Sequence, residues 1–468
     1  MTTLNNMSRF FSQIFAWNSS DAMAGSRHRI GKRLNGSRRI VGAFVLAVVL
    51  IGQGAHGAIR TVTKNTDNNP SLVANAGELR YEINQAVAAD TIVFDPTFFS
   101  VPRTILLHPD LYGGLFVTKN LTITGPGPAN LIIDAGGISA RAFTFGVVTA
   151  SISGLTITGG KAPQEGGNPL LFIPPQYARG GGIHSSGTLT VSNCWIVGNQ
   201  ATTGPLYAVA ASGAGIYSDR GVLTVVDCVI SNNTALAASS AGFLAAGGGI
   251  YASAPTVLGR PALTLLRSTM AGNRIAGSAA SGGGIFQATN VVGIPVSSII
   301  NSTISGNTSE SLATTGADAG SGGGIYATNI VCLNSTIASN GVVLAGGRPT
   351  SAGTGGGLWG AVTLKNTLVA GNGAPTFPDV RGPMVSLGHN LIGATVGFAS
   401  AAGDLVGTLV SPINPLLGPL QNNGGLTPTH ALLPGSPAID AGDNVGAPTT
   451  DQRGLPRPGA SSAVDIGA

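Results

Sequence analysis

Apolar and polar positions recur along the middle of this chain in units of 33 to 40 residues. Each unit begins with a glycine cluster, then an Ile or Leu that we call the anchor, and then a residue with a ring (His, Tyr, Phe or Trp). Each unit ends with an asparagine that follows a short apolar stretch. The openings are residues 180–184, 213–217, 247–251, 282–286, 322–326 and 355–359, and the closing residues are Asn199, Asn233, Asn273, Asn307, Asn340 and Asn372. Such a period is typical of a solenoid, in which each unit buries its apolar face by stacking on its neighbours.

Each unit predicts three short strands. The first holds the anchor and its ring, the second is of the 189–191 type, and the third is of the 336–338 type. The variable Ala-, Gly- and Ser-rich stretches after each asparagine, such as 235–246, are predicted loops. The recurring asparagine is predicted to tolerate a left-handed turn and to stack in a ladder, with the glycines at a similar corner.

The flanking sequence predicts caps on this array. An edge strand at 59–66 precedes a short amphipathic helix at 78–87, with Leu79, Ile83, Ala86 and Val87 on one face, and a core strand follows at 90–95. A helix there would cover the open end of the solenoid. The predicted divisions are a leader at 1–57, an N-terminal cap with irregular coils at 58–178, regular repeats at 179–378 and a C-terminal cap at 379–468.

Composition supports strands and tight turns, because only 9% of the residues are charged and 71 are glycine. The net charge of +5 arises in the leader, where residues 1–57 hold seven Lys or Arg and one acid, leaving 17 basic and 18 acidic residues beyond it. A nucleic-acid-binding protein would carry its basic face on the folded part. We therefore expect no nucleic-acid partner.

The leader has the order of a secretory signal peptide. A basic stretch ends at Arg39, an apolar core follows at 40–51, and small residues at Ala55 and Gly57 suit cleavage before Ala58. The apolar core is too short to span a bilayer comfortably, so we expect no transmembrane span in the mature chain. Translation from Met1 or from Met23 is left open. The prediction is an exported bacterial protein, located outside the cell or at its surface.

Both ends of the mature chain resemble one family. Residues 78–83, Glu-Leu-Arg-Tyr-Glu-Ile, are similar to the Ser-Leu-Arg-Glu-Ala segment that opens many bacterial surface β-helix proteins. Near the other end stand Asn-Pro-Leu-Leu-Gly-Pro-Leu at 414–420, Asn-Asn-Gly-Gly-Leu-Thr-Pro-Thr-His at 422–430 and Leu-Pro-Gly-Ser-Pro-Ala-Ile-Asp-Ala-Gly-Asp at 433–443. These segments resemble choice-of-anchor Q domain proteins, and the repeats are similar to those of chlamydial polymorphic outer membrane proteins. The resemblance implies an all-β, single-stranded right-handed parallel β-helix of the pectate-lyase type on a cell surface, without established catalytic residues.

The rings that follow the anchors are the candidate ligand-binding residues. They are His184, Tyr217, Tyr251, Phe286, Tyr326 and Trp359. If strand alternation turns them outward, stacked coils align them in one stripe that fits sugar rings or a protein partner. The alternative is that the rings point inward or lie under the neighbouring loops, and are only packing.

Other candidate chemistry is sparse. The cap holds Asp440, Asp443 and Asp451, which are either weak candidate Ca²⁺ ligands or turn caps paired with Arg453. Two cysteines, Cys194 and Cys228, share one column of adjacent units, either as stacked small side chains or as a disulfide bridge. Apart from Ca²⁺, no cofactor is expected.

The sequence thus favours a structural, adhesive or ligand-binding protein without catalysis, whose partner is an extracellular polysaccharide or a cell-surface protein. The alternative is a polysaccharide lyase or another carbohydrate-active enzyme. Such enzymes use clustered carboxylates. The acids of the repeat array, Asp219, Asp227, Glu310 and Asp318, fall at different places in different repeats. No catalytic residue is therefore assigned, and the mode of attachment is left open.

Overall fold

Short parallel strands stack in the computed structural model of this chain. The structure describes residues 57–68, 75–109, 114–137, 140–165, 177–203, 210–237, 244–255, 259–288, 296–312, 320–344, 353–458 and 462–468. They belong to one unit, Gly57–Ala468. The predicted signal peptide lies outside these residues except for Gly57. None of the helices in the described ranges is long and apolar enough to cross a membrane.

Two large parallel sheets face each other across the core. Sheet A takes two strands, or one long strand, from each coil: Ile59–Val62, Thr91–Phe94, Leu115–Val117, Thr122–Thr124, Phe143–Phe145, Thr149–Ser153, Ile183–Ser185, Thr188–Ser192, Ile216–Ser218, Val222–Val226, Ile250–Ser253, Leu263–Leu266, Ile285–Ala288, Ser297–Ile300, Ile325–Leu333, Leu358–Lys365, Val380–Arg381 and Met384–Ser386. Sheet B takes one strand per coil: Arg103–Leu106, Leu131–Asp134, Thr156–Thr158, Trp195–Val197, Val229–Ser231, Thr269–Ala271, Thr303–Ser305, Thr336–Ala338, Leu368–Ala370, Leu391–Thr395 and Leu405–Thr408. The fold is the predicted right-handed parallel β-helix.

The inward side chains of the two sheets form one continuous core. Its regular part includes the six anchors, which are fully buried: Ile183, Ile216, Ile250, Ile285, Ile325 and Leu358. Each buried aliphatic side chain of this size stabilises the fold by about 1.5–3 kcal/mol. A coil gains this stabilisation only when its neighbours cover it.

The prediction of loops after each asparagine is wrong in part, because two further small sheets occupy these stretches. Sheet C contains Gln200–Thr202, Thr234–Leu236, Arg274–Gly277, Thr308–Ser311 and Gly341–Leu344, and sheet D contains Gln164–Glu165, Tyr177–Arg179, Ala210–Ser212, Leu244–Ala246 and Ala279–Ser281. A thin second core, composed almost entirely of alanine, lies between them. Small side chains give a weak hydrophobic pattern, so these stretches are predicted as loops. In the structure the same small side chains let the two backbones approach closely.

The closing asparagines form a buried ladder along the helix. In Asn233, the backbone N–H and the side-chain amide both donate to Oδ1 of Asn273, at 3.1 and 2.9 Å, and the amide also donates to the carbonyl of Ile196 at 2.9 Å. The same pattern runs from Asn199 to Asn372. The predicted ladder is confirmed. The predicted left-handed conformation is wrong for these residues, because it belongs to the residue before each of them, such as Gly198 and Asn232.

A seventh, shorter coil follows the six regular ones. Val380–Arg381 and Met384–Ser386 pair with Leu358–Lys365, and the strand of sheet B continues to Thr408. Asp379 ends the ladder, since its carboxylate accepts from Asn372 and from the backbone of Ala394. Burial raises the pKa of Asp379, and these hydrogen bonds oppose the rise. The β-helix therefore extends beyond the predicted end of the array at residue 378.

Small side chains form a second internal column, as predicted. The column consists of Cys194, Cys228, Ser268, Ser302, Ser335 and Thr367, all fully buried. Its backbone N–H groups donate along the axis, as from Cys228 to Ser268 Oγ at 3.0 Å. Both cysteines are free thiols, so the stacked column is confirmed and the bridge is absent from the described structure.

The predicted N-terminal helix is present as α1, Leu79–Gln85. Leu79 and Ile83 pack into the core, whereas Val87, predicted on the same face, lies beyond the helix and is exposed. Arg80 forms a two-pronged ion pair with Asp67 at 2.6 and 2.7 Å, with both side chains buried. A short 3₁₀ helix, Phe98–Ser100, follows the second strand.

The C-terminal tail lies along the outer face of sheet B as well as following the last coil. An antiparallel hairpin, Leu417–Gln421 with Thr429–Leu432, belongs to it. Gln452 bonds to Thr269 and Thr303 of two successive coils, and the backbone N–H of Ala468 donates to Thr336. The tail thus reaches back over the sheet B strands of several earlier coils.

We expect Asn273→Ala to lower the free energy of unfolding by at least about 2 kcal/mol, because each buried group left without a partner costs about 1–3 kcal/mol. Asn273 accepts two hydrogen bonds and donates two. Urea unfolding measures the loss. Asn422→Ala, at an exposed turn, is the control; equal losses in the two variants would contradict a supporting role for the ladder.

A glycine of the array provides a second test. Gly282 has φ of 73°, and a Cβ there would lie 2.2 Å from the carbonyl oxygen of Ile285. Gly137 has φ of 67° with open space around it. Both Ala substitutions incur the left-handed penalty of about 1–2 kcal/mol, but only Gly282→Ala also creates a clash. Thermal melting should show a clearly larger loss for Gly282→Ala, and equal losses would mean that the corner can widen.

Candidate binding face

The ring beside each anchor lies on the outer surface of sheet A. Successive strand residues point to opposite faces, so a fully buried anchor is followed by a ring that remains partly accessible. Tyr217 is the most covered at 4% exposure. Backbone register aligns the six rings in chain order from His184 to Trp359. The rings therefore point outward, although Tyr217 is covered, and their role in ligand binding stays a prediction.

The six rings form one continuous stack. Successive ring centroids lie 5.2, 4.7, 5.2, 4.8 and 4.4 Å apart, and the planes differ by no more than 19°. Each interior ring therefore has both faces against its neighbours. A sugar that needs an aromatic face cannot stack on the interior rings. A ligand on this surface meets a row of ring edges.

Tyrosine hydroxyls add hydrogen-bonding capacity to this row. Burial raises the pKa of Tyr251, and the negative charge of Asp219 raises it further. Burial also raises the pKa of Tyr326. Both hydroxyls therefore remain protonated near neutral pH and can donate as well as accept.

A second outward column runs beside the rings on the second strand of each coil. It contains Ser151, Thr190, Thr224, Thr264 and Ser298, all half-buried and in register. In the described part of the chain no hydrogen bond involves the hydroxyls of Thr190, Thr224 or Thr264. The sequence analysis missed this column, although the Leu-Thr-Val and Leu-Thr-Leu triplets signal an outward hydroxyl between two inward aliphatic residues.

Charged groups surround the N-terminal end of the stack. The Arg179 guanidinium lies 4.1 Å from the ring centre of Tyr177 and 5.5 Å from that of Tyr217. Arg141 pairs with Glu165, and its Nε donates to the carbonyl of Arg179. Burial lowers the pKa of His184 to about 4, helped by the positive charge of Arg141. His184 is therefore neutral near pH 7 and resembles the other rings of the stack.

Two of the three candidate metal ligands, Asp443 and Asp451, have carboxylates that pair with separate protein partners. Asp451 pairs with Arg453 at 2.6 Å and caps its own turn, whereas Asp443 pairs with Lys365 at 2.9 Å. The backbone N–H of Asp440 donates to Asp465. Burial raises the pKa of Asp443, but the hydrogen bonds from Lys365 and Val445 outweigh it and the net pKa is lowered. Within the described ranges no three His, Cys, Asp or Glu side chains gather as a metal site would require, and Ca²⁺ binding stays a prediction.

The acids of the array also have separate roles. Asp227 forms a two-pronged pair with Arg267 at 2.8 Å, Glu310 pairs with Arg274, and Asp219 accepts from Ser253 at 3.0 Å. Asp318 lies outside the described residues. The three described carboxylates are thus held by different partners, with Asp219 and Asp227 on one coil and Glu310 two coils later.

Sequence reasoning also missed the site residues of the seventh coil. Residues 377–381, Phe-Pro-Asp-Val-Arg, occupy the positions that Gly-Gly-Gly-Leu-Trp takes at 355–359. The signal available in the sequence is Val380, an aliphatic anchor 22 residues after Leu358. It was obscured because the glycine cluster is replaced and the period is shorter.

Comparison with known proteins shows remote similarity in structure alone. No family model matches the chain, and no curated protein matches it. One similar solved structure is jun a 1, the major allergen from cedar pollen, with 14% identity over 75% of this chain and 78% of that one, at a TM-score of 0.30. Another is pectate lyase Pel9A, with 14% identity over 88% and 95% of the two chains, at a TM-score of 0.35. Membership of the choice-of-anchor Q group stays a prediction.

His184→Phe should reduce the acid sensitivity of the protein. Because the pKa of His184 is about 4 in the folded state and 6.5 in the reference state, the unfolded chain binds more protons between these values. The stabilising contribution of neutral His184 is complete above about pH 6.5 and is lost as the pH falls towards 4. Phenylalanine preserves the stacked ring without titrating.

Thermal melting at about pH 7 and about pH 4 measures this effect. The melting temperature of the wild type should fall more than that of His184→Phe across this interval. Tyr251→Phe alters a ring of the same stack without changing its charge in this range, so it should follow the wild type. Parallel losses in wild type and His184→Phe would show that His184 does not titrate as described.

Proposed function

We propose that this chain is an exported, non-catalytic β-helix whose sheet A face binds an extended polysaccharide along the helix axis. The observation that carries the proposal is the alignment of two columns, ring edges and free threonine hydroxyls, across successive coils. Stacked strands are about 4.8 Å apart. A polymer of pyranose residues presents hydroxyls and apolar C–H faces at a similar repeat.

The face fits a polymer better than a small molecule. Its contacts are shallow and similar from coil to coil, so each one contributes little. A ligand with many repeating units gains affinity by engaging several coils at once, because each later contact is intramolecular. The edges of the accessible rings supply apolar contacts, and the hydroxyls of Thr190, Thr224 and Thr264 supply hydrogen bonds.

Export and a cell-surface or secreted location are part of the proposal. They rest on the leader at 1–57 and on the resemblance of the ends to choice-of-anchor Q proteins. A cell-surface protein is the other predicted partner. Binding is better supported than a lyase reaction, because the described carboxylates of the array are tied to separate structural partners.

The test compares two triple variants of equal chemistry. Thr190→Val, Thr224→Val and Thr264→Val together remove three hydroxyls from the binding face. The control removes three half-exposed hydroxyls from sheet C by Thr202→Val, Thr234→Val and Thr308→Val. Since one neutral hydrogen bond contributes about 0.5–1.5 kcal/mol, the first variant should bind about tenfold more weakly or worse, and the control should bind as the wild type does.

The measurement is co-sedimentation of the mature chain with cellulose, chitin and polygalacturonate. The double variant Tyr251→Phe with Tyr326→Phe preserves the stack, so any loss of polysaccharide binding measures the contribution of the two ring hydroxyls. A lyase assay with Ca²⁺ on the same acidic polymer is run in parallel. The proposal fails if none of the three polymers is bound or if the sheet A variant binds as tightly as the wild type, and release of unsaturated products would establish the enzymatic alternative.

A further inference from the structure

The seventh coil departs from the six before it at one corner. In those six coils the residue that enters sheet A is a glycine with φ between 56° and 73°: Gly180, Gly213, Gly247, Gly282, Gly322 and Gly355. In the seventh coil Phe377 stands at this corner, because Thr376 pairs with Thr354 and Val380 pairs with Leu358. The phenylalanine retains the left-handed conformation, with φ of 53°.

A bulky residue rarely adopts this conformation. Glycine would make the same corner without strain, as it does in every regular coil. Strained residues cluster where the side chain has a role that the fold alone does not require. The ring of Phe377 is therefore the feature that needs an explanation.

The second departure is Arg381, which replaces the outward ring. It is in register with Trp359, at the position that continues the aromatic stack. Its guanidinium lies 4.1 Å from the ring centre of Phe377, which restricts its orientation. Among the described residues no carboxylate forms an ion pair with it. The result is an oriented positive charge that no carboxylate of the described residues neutralises.

These two residues form part of the wall of a pocket of about 450 Å³. The rest of the lining is mostly apolar, including Met384, Val396 and Phe398, and it contains no acidic residue. Met384 and Phe398 pack against the main core, so this wall is firmly supported. The volume lies in the range of small-molecule sites, which combine apolar walls with a few polar groups that fix orientation.

We propose that this pocket binds a small planar apolar carboxylate. The carboxylate pairs with Arg381, whose planar donors suit it, and the apolar body fills the space beside Met384 and Phe398. The pocket lies at the C-terminal end of the ring column, beyond Trp359, and its lining contains none of the rings or threonines of the polysaccharide face.

The test uses naphthoate as the probe, with its uncharged amide as the matched ligand, and follows binding by ligand-observed NMR and calorimetry. Naphthoate should bind at least tenfold more tightly than the amide. Arg381→Gln should abolish this difference. Arg103→Gln is the matched control, because the Arg103 guanidinium also lies on a phenylalanine, 4.2 Å from the ring centre of Phe98, outside the pocket.

Two further variants protect the test against loss of folding. Phe377→Gly restores the residue used in the other six coils, so it should melt no lower than the wild type and yet bind naphthoate weakly. Val396→Asp places a negative charge at a rim position that is 58% exposed and should reduce naphthoate binding more than amide binding. Equal affinity for naphthoate and the amide, no binding of naphthoate, or unchanged binding in Arg381→Gln would overturn the proposal.

Discussion

The ladder asparagines at the corners of this β-helix depend on the next coil for their hydrogen bonds. The amide of each ladder asparagine donates to the asparagine of the following coil, and its oxygen accepts from the preceding coil, so no coil is satisfied alone. Burying an amide without hydrogen-bond partners destabilises the fold, so each coil must stack on the next. The same stacking buries the aliphatic anchors. The ladder must stop, and it stops at Asp379, which accepts from Asn372 and Ala394. The parallel column of small side chains ends in the same way. The backbone N–H of Thr367 donates to Oδ1 of Asn390 at 3.0 Å, and Asp404 accepts from the backbone and the amide of Asn390. An acceptor that need not donate onward suits the last position of each column.

This axial register also creates the candidate binding face. Because the corners fix the vertical alignment of the coils, any outward residue at one position of the repeat becomes a column. Rings at that position stack at 4.4–5.2 Å. Stacking stabilises the rings and at the same time covers their faces, so the same alignment that builds the aromatic column limits what it can recognise. Within the described residues the hydroxyls of Thr190, Thr224 and Thr264 have no such internal partner, so the proposed polysaccharide can bond to them.

The sequence predicts most of the fold because repetition averages over local ambiguity. A single Gly-Ile-Tyr triplet says little, but six of them at a similar spacing define the anchors and align the rings, and six closing asparagines define the ladder. The helix near the N-terminal end is predicted separately, from the apolar face of residues 78–87. What it predicts wrongly has physical reasons. Sheets C and D bury mainly alanine, together with serines such as Ser309 and Ser311, and this weak hydrophobic pattern resembles that of a loop. The left-handed residue at the ladder corner varies between glycine, asparagine and serine, as at Gly198, Asn232 and Ser339. The asparagine after it is the same in every unit, so the sequence predicts the left-handed conformation for that asparagine instead. The path of the tail along sheet B depends on contacts such as that between Gln452 and Thr303, which have no sequence periodicity.

At the seventh coil the repeat ends, and the stacking constraints on the glycine corner and the ring column become weaker. In the interior coils a substitution at the glycine corner or in the ring column affects the coils on both sides. The seventh coil has a regular neighbour on one side only, since Trp359 precedes Arg381 in the column. A cation can therefore replace a ring there without interrupting a stack, and Phe377 can occupy the corner without a further glycine corner to match. The end of a solenoid is thus the place where new side-chain chemistry costs the fold least, whereas the interior of the array is limited to columns of one kind.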